Sequence, residues 1–390
     1  LDDDPAAVAD LAALQERLGT GATRLHGLVR THFHTTPREL LLRRRIGAAC
    51  RRLLAGDERV LDVAMAVGFD SLSAFHAAFA AVTRMAPGDY RRLREGAGFT
   101  LRLPRDFRAE STLAFLGRDP ESPTERVRGT ALQRALALPE GPALLTVELH
   151  PGAALCQLAA NRPPSAAAMA SAHATALRLL GLQGDPRPFE RRVAADPELG
   201  RLLDGRRGLR IPQCPTPFEA LVWAILGQQV NLRFAYTLRR RLVARCGAAA
   251  GDGLATHPAP QAIAACDEVE LTRLQLSRGK ARYLLAAARA VTAGDCPLDE
   301  LARGPATTCE RALRALAGVG PWTAAYVMMR GFGFADCVPV GDAGLARALE
   351  RFFALPTRPQ AVETAALMRP FAPYRSFATT HFWTTLGGAA

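Results

Sequence analysis

The chain has 390 residues and a formal charge of +12, with 49% hydrophobic and 22% charged residues. That composition can build sizeable cores, predicts two or three domains at this length, and excludes a disordered, collagen-like or coiled-coil protein. The net positive charge favours an anionic partner, and of the 49 basic residues only Lys280 is a lysine, so chemistry that needs a lysine amine has one candidate.

Residues 1–97 read as short helices. Apolar residues recur at helical spacing through Leu11, Leu14, Leu18, Leu25, Leu28 and Val29. Turns are marked by Gly19-Thr20-Gly21 and Gly68-Phe69-Asp70-Ser71. Pro37 opens a longer helix carrying Arg43, Arg44, Arg45, Arg51 and Arg52, and Pro87 follows the second set of short helices as Pro37 follows the first. In the second helix-turn-helix unit Val60 begins one helix and Ser71 caps the next. That helix turns Ser73, His76 and Ala77 outward, where a major groove can take them, and Phe75, Phe79 and Val82 inward. In the first unit Thr23, Arg24 and Arg30 face out. A small bundle with a solvated charged face explains this pattern equally well.

The style changes near residue 98. Stretches 99–103 and 144–149 alternate as strands, with a polar stretch at 118–128 between them and a helix over 165–180. Residues 98–208 therefore read as a small mixed α/β region. From about 209 the chain is helical again, with a strongly amphipathic helix expected from Pro217 to Gly227, others over 231–246 and 279–292, and a last one over 375–385. Eight cysteines stand singly without a CxxC pair. This argues against a thiolate zinc site or iron–sulfur cluster and fits a reducing, cytoplasmic setting. No signal-peptide pattern opens the chain and no apolar run has membrane-spanning length, so no membrane partner is expected.

Helix, Gly318-Val319-Gly320, then helix reads as a helix-hairpin-helix. The two glycines allow φ values that other residues resist. Pro321 sits where a helix needs no amide donor, and the exposed amides can hold a phosphate without reading a base. A plain glycine-rich linker is the alternative; the flanking Leu316 and Trp322-Thr323-Ala324 strengthen the hairpin. Further on, Asp342 stands at a helix start. N-capping explains an aspartate there. Beside a phosphate grip, the same carboxylate can stabilise positive charge developing on a deoxyribose, or orient a water. Trp322 and Tyr326 share a helix face, and a cleft lined by Tyr326 and Trp383 suits an electron-poor, cationic base.

The order Ala49-Cys50-Arg51-Arg52-Leu53-Leu54, Asp62-Val63-Ala64, Gly68-Phe69-Asp70-Ser71 and Pro87-Gly88-Asp89-Tyr90-Arg91 resembles the AraC-type DNA-binding domain over about residues 7–95. From 98 to 387 the chain resembles the helix-hairpin-helix DNA glycosylase superfamily, nearest to the DNA-3-methyladenine glycosylase II family. The match extends from the hairpin to Phe218-Glu219-Ala220-Leu221-Val222-Trp223, Gly227-Gln228-Gln229-Val230, Gly208-Leu209-Arg210-Ile211-Pro212 and His381-Phe382-Trp383. Together the halves resemble the bacterial Ada–AlkA fusions. The implied fold is multidomain and mostly α: a double helix-turn-helix domain at 1–97, a TBP-like α/β domain at 98–208 and an all-helical helix-hairpin-helix glycosylase domain at 209–390.

The resemblance also implies roles. Asp342 is the catalytic carboxylate. Trp322, Tyr326, Trp383, Phe115 and Gln228 line the substrate pocket. Gly318, Val319, Gly320, Thr323 and Gln229 contact DNA, with Gln229 in the place of the duplex wedge, a leucine in the best-known member. Arg24, Arg30, Ser73 and His76 contact DNA in the first domain. Bifunctional relatives carry a lysine where this chain has Trp322, and Lys280 reads as a surface-helix residue with either a phosphate contact or no specific role, so a monofunctional glycosylase without lyase activity is implied. Its substrates are alkylated purines of the 3-methyladenine and 7-methylguanine type in duplex DNA. Promoter DNA is an implied partner of residues 1–97. A monomer is expected, with no cofactor beyond a structural monovalent cation at the hairpin. Fusions of this kind often begin with a zinc methyl-acceptor domain whose four cysteines are not in this chain. The first residue, Leu1, is not a methionine, so the chain reads as a fragment, and no direct methyl transfer is expected. Three readings stay open: a glycosylase of the same fold for another damaged base, a transcription regulator with a non-catalytic DNA-binding C-terminal region, and a structural DNA-end or junction binder using the hairpin alone.

Overall fold

Caps and prolines set where the helices start. The computed structural model describes residue 8 and residues 10–387, and its internal contacts divide the chain into two units. One runs to Arg105 and adds Leu145–Ala174; the other holds Asp106–Leu144 and everything from Thr175 onward. The first unit opens with α1 (Leu11–Arg17), α2 (Ala22–Phe33), α3 (Pro37–Ala55), α4 (Val60–Ala66), α5 (Leu72–Thr83) and α6 (Pro87–Arg91), followed by β1 (Gly98–Arg102). Thr36 caps α3 with Pro37 behind it, and Ser71 caps α5. The repeat seen in the sequence is physical: α2 ends on left-handed His34 (φ 54) and α5 on left-handed Arg84 (φ 62), each three residues before a helix-opening proline. Phe75 and Phe79 are fully buried, and Tyr90 of α6 meets Phe79 edge-on. Val82 is only half-buried; Thr83 takes the inward place, its hydroxyl donating to the Phe79 carbonyl.

Next in chain order come α7 (Ala109–Leu116), β2 (Glu125–Arg128), β3 (Ala131–Leu138), β4 (Gly141–His150), β5 (Ala153–Ala160) and α8 (Ala166–Leu179). β4 carries the chain from the second unit into the first, and α8 carries it back. In the first unit β1 pairs antiparallel with β5, with Phe99 opposite Cys156 and Leu101 opposite Ala154. In the second, β2 pairs antiparallel with β3. The sequence reading found β1 and β4 but not β2, β3 or β5. β3 reads Ala-Leu-Gln-Arg-Ala-Leu-Ala-Leu, a helix-forming composition that becomes a strand by pairing.

The rest of the second unit is helical: α9 (Arg187–Ala194), α10 (Pro197–Gly200), α11 (Pro217–Gly227), α12 (Leu232–Cys246), then, after a short hairpin of β6 (Ala249–Gly251) and β7 (Leu254–Ala255), α13 (Pro260–Ala264), α14 (Glu268–Arg273), α15 (Arg278–Ala293), α16 (Leu298–Leu301), α17 (Ala306–Arg314), α18 (Pro321–Val327), α19 (Ala343–Phe352), α20 (Ala361–Leu367) and α21 (Arg375–Thr384). The β6–β7 hairpin corrects the expectation of an all-helical region. It forms where Gly251, Asp252 and Gly253 all take positive φ. The protein is thus mostly helical, with a small mixed β/α region ahead of the helical one. Among the described residues no helix is long and apolar enough to cross a membrane.

α11 is the axis of the second core. Nine of its eleven residues are buried, so the helix expected to be amphipathic is instead apolar nearly all round and enclosed by the core. Its one carboxylate, Glu219, is buried too and shared between Arg134 of β3 (2.6 Å) and Arg239 of α12 (3.2 Å), both of which also pair with Glu125 of β2. Burial alone would push both carboxyls up. For Glu125 the Arg239 and Arg134 guanidiniums outweigh it, and for Glu219 Arg134 leads, so both end below the usual carboxylate range.

Candidate active site

The glycine turn joins α17 to α18. Gly318 lies at φ 77, and a Cβ built there would fall 2.2 Å from the Tyr283 ring of α15, so conformation and space both exclude a side chain. Gly320 departs from the expectation. Its φ is −86, open to any residue, and a Cβ there would meet nothing in the protein. It stands as a bare N-cap before Pro321, and first-turn amides of a helix have no acceptor within it. Val319 is buried in the core, and Thr323 is buried with its hydroxyl accepting from Gln228 Nε2 at 3.0 Å. The same Nε2 donates to the Gly318 carbonyl at 2.8 Å. Gln228 therefore ties the end of α11 to the hairpin; of the residues predicted for the substrate pocket, Phe115 and Tyr326 line the cavity described below, whereas Gln228, Trp322 and Trp383 do not. The Leu316 carbonyl accepts from Val319 N within the turn, and the Gly318 carbonyl from Gln228 at the end of α11.

Gln229, between α11 and α12, is exposed and left-handed at φ 53. Lys280 is not a surface residue. It is buried on α15, and its Nζ donates to the Leu226 carbonyl at 2.6 Å, in the last turn of α11. Burial pulls its pKa down. The sequence reading missed this because an opening-turn lysine looks solvated until α11 is packed over it.

Asp342 is the N-cap of α19, and capping is only part of its role. Oδ1 accepts from Leu345 N at 2.7 Å and from Trp383 Nε1 of α21 at 2.9 Å, while Oδ2 accepts from Trp322 Nε1 of α18 at 3.0 Å. Three elements fix one half-buried carboxylate. The indole rings also form a series with Tyr326 between them: Trp322 and Tyr326 stack at 5.6 Å and 28°, and Tyr326 and Trp383 lie 6.2 Å apart at 40°. Burial pushes the Tyr326 phenol up to about 12, so it stays protonated at neutral pH. The sequence places Trp322 and Tyr326 on one helix face and offers Tyr326 and Trp383 as stacking surfaces; that the two indoles donate to Asp342 is visible only in the fold.

Tyr326 also belongs to the wall of a cavity of about 660 Å³, counted with its open mouth. Phe115 of α7 forms another wall, with the guanidiniums of Arg118 and Arg330 over its ring at 3.8 and 4.5 Å. Burial draws the Arg118 pKa down. Arg330 escaped the sequence reading, although it stands four residues after Tyr326 and eight after Trp322, on a shared face. In the first unit Arg24, Ser73 and His76 are exposed and Arg30 is half-buried. Among the described residues no group of three or more His, Cys, Asp or Glu side chains is gathered as metal ligands.

Comparisons with known proteins agree with this layout. Residues 14–93 match the helix-turn-helix domain model, 99–215 the AlkA N-terminal domain, and 222–373 the HhH-GPD superfamily of base excision DNA repair proteins. The chain is 32% identical over 343 residues to a probable bifunctional transcriptional activator/DNA repair enzyme AlkA of Mycobacterium tuberculosis, covering 83% of this chain and 66% of that protein, just under two thirds of its length. It is 31% identical over 283 residues to DNA-3-methyladenine glycosylase 2 of Escherichia coli, covering 70% of this chain and 93% of that one. A solved 3-methyladenine DNA-glycosylase from Archaeoglobus fulgidus shares the fold, with a TM-score of 0.64 at 20% identity over 73% of this chain and 97% of that one.

Proposed function

The chain belongs to the helix-hairpin-helix superfamily of base excision DNA repair proteins, and from that premise we propose that it is a monofunctional glycosylase releasing alkylated purines, of the 3-methyladenine and 7-methylguanine type, from duplex DNA. One observation carries the reading: a carboxylate held by two indole N–H groups beside an aromatic stack. Residues 1–97, 98–208 and 209–390 are its three domains, the first a regulator-type module for promoter DNA and the second TBP-like.

The free first-turn amides of α18 and the open side of Gly320 hold a backbone phosphate without a base contact. Gln229, exposed at its turn, enters the stack as the base leaves it. The flipped purine settles against the Trp322–Tyr326–Trp383 series, where its alkylation-derived positive charge meets π faces. The C1′–N bond then breaks with its electron pair going to the base, which is already cationic and leaves neutral without an enzyme proton. Positive charge develops on the sugar, and Asp342, oriented beforehand by three donors, stabilises it. Water adds to C1′ and gives up its proton, with Asp342 placed to receive it. A Schiff base is not part of this scheme, because the Lys280 amine is engaged with the Leu226 carbonyl and Trp322 stands at the hairpin. The product is an abasic site.

Release of 3-methyladenine and 7-methylguanine from methylated duplex DNA by the whole chain tests this. Asp342→Asn keeps a capping oxygen, so the helix start is preserved. It should lower release at least 100-fold, on the order of the loss when a preorganised electrostatic group is removed, while duplex binding persists. Unimpaired release by this variant, or tight duplex binding by the unaltered chain with no base released, would overturn the reading, the latter in favour of a DNA-binding regulator.

A further inference from the structure

The cavity beside Tyr326 has a charge surplus that the base-release scheme leaves unused. Its three carboxylates are all committed: Glu125 and Glu219 to Arg134 and Arg239, and Asp119 to Arg240. Arg330 also lines the cavity, is only 7% exposed, and has a buried Nε with no hydrogen-bond acceptor. No carboxylate pairs with it among the described residues. Its guanidinium rests instead on the Phe115 ring at 4.5 Å and the Tyr326 ring at 5.9 Å. On the same wall the Gln213 side-chain oxygen is buried without a donor.

A guanidinium taken out of water without an anion is costly, and cation–π contact returns only part of that cost. A simple N-methylpurine makes the imbalance worse, because it brings a further positive charge to the rings on which Arg330 lies. A purine whose N-alkyl group ends in a carboxylate cancels it: the base is cationic, the chain is anionic, and two oxygens match the fork of N–H donors. An oxo group on a neutral purine offers a single dipole and leaves the charge uncompensated.

We infer that this cavity is a subsite for an anionic group carried by the damaged base, with Arg330 as its recognition residue, so that the substrate class extends to N-carboxyalkylated purines. The inference rests on the proposed base release. The bond broken is the same, and the carboxylate passes through unchanged.

The test uses the whole chain and two duplexes, one with a single 7-carboxymethylguanine and one with 7-methylguanine at the same position. The single-turnover rate ratio, carboxymethyl over methyl, is measured for the unaltered protein, Arg330→Gln and Arg330→Lys. The expected result is a ratio at least 10-fold lower in Arg330→Gln and intermediate in Arg330→Lys. Each ratio is taken within one protein, so loss of folded fraction or of general activity cancels, and comparison between proteins cancels the different lability of the two lesions. Equal ratios in all three proteins would overturn the inference. A parallel calorimetric arm titrates the two free bases, 7-carboxymethylguanine and 7-methylguanine. Tighter binding of the first, lost in Arg330→Gln, supports the subsite; equal binding overturns it. Failure to release either base would count against the proposed function alone, and the calorimetric arm would still decide the subsite.

Discussion

Two helices of this chain, one in each unit, begin with the same device. At α5 the Ser71 hydroxyl accepts from Ala74 N at 3.4 Å; at α19 the Asp342 carboxylate accepts from Leu345 N at 2.7 Å. Around Ser71 the device ends there: Ser73 and His76 behind it are exposed, and a DNA contact would have to order them. Around Asp342 two further donors arrive from α18 and α21, distant in sequence, and remove the carboxylate's freedom before any ligand binds. The lesson is about convergence. A cap shapes a helix, whereas a cap on which separate elements aim donors is prepared for chemistry. The same distinction separates the cavity's satisfied carboxylates from Arg330, where convergence is incomplete.

The largest effect that sharpens this contrast lies in the frame holding the second unit. Glu219→Gln leaves Arg134 and Arg239 with one buried carboxylate between them. Unfolding in urea should show a loss of about 3–5 kcal/mol, the range for breaking a buried pair. The pH dependence has a definite sign. Glu125 and Glu219 lie below the usual carboxylate range when folded, so their stabilisation is complete above an unfolded value of roughly 4.3 and is lost as pH falls toward the lower folded values. The substitution should flatten that acid limb; a parallel limb would mean the pair does not act as described. Next in size is Trp383→Phe, which keeps a ring and removes one N–H donor to Oδ1. Base release should fall about 10-fold, matching one charge-assisted hydrogen bond, in kcat more than in KM. A change confined to KM would make Trp383 a stacking surface only, and the contrast with Ser71 would lose half its content.

How much could be read from the sequence followed the same line. Elements with a local signature were legible: α3 and α11 through Pro37 and Pro217, which open them, and the hairpin through Gly318. What depends on partners far along the chain was not. β3 has a helix former's composition and is a strand because β2 lies beside it. Lys280 looks solvated until the Leu226 carbonyl is brought to it. Gly320 was expected to need an unusual φ and does not. Asp342, Trp322, Tyr326 and Trp383 do come together, but that the indoles would point N–H groups at the carboxylate depends on how α18 and α21 are placed, which no local pattern encodes. Arg330 had the right spacing; its burial and its lack of an anion are properties of the packed cavity.

The smallest predicted effect is the most direct test of the comparison. Ser71→Ala removes a capping acceptor from α5, and among the described residues no ring or second donor reaches that hydroxyl. Replacing such a cap costs about 0.5–2 kcal/mol, and an exposed bond of 3.4 Å belongs at the low end of that range. Thermal unfolding should therefore shift by a few degrees at most, and release of alkylated bases should stay within twofold of the unaltered chain, because Ser71 takes no part in either the hairpin or the carboxylate site. Asp342→Ala makes the matching deletion at α19. It should cost a similar amount through the lost cap and, in addition, abolish most of the base release. If the two alanine variants behaved alike, losing stability in step and activity not at all, the indole donors at Asp342 would be packing coincidences and the carboxylate a cap like any other. If Ser71→Ala depressed base release as strongly as stability, the two regions would be energetically coupled, and the prepared site would owe part of its preparation to the helix-turn-helix region.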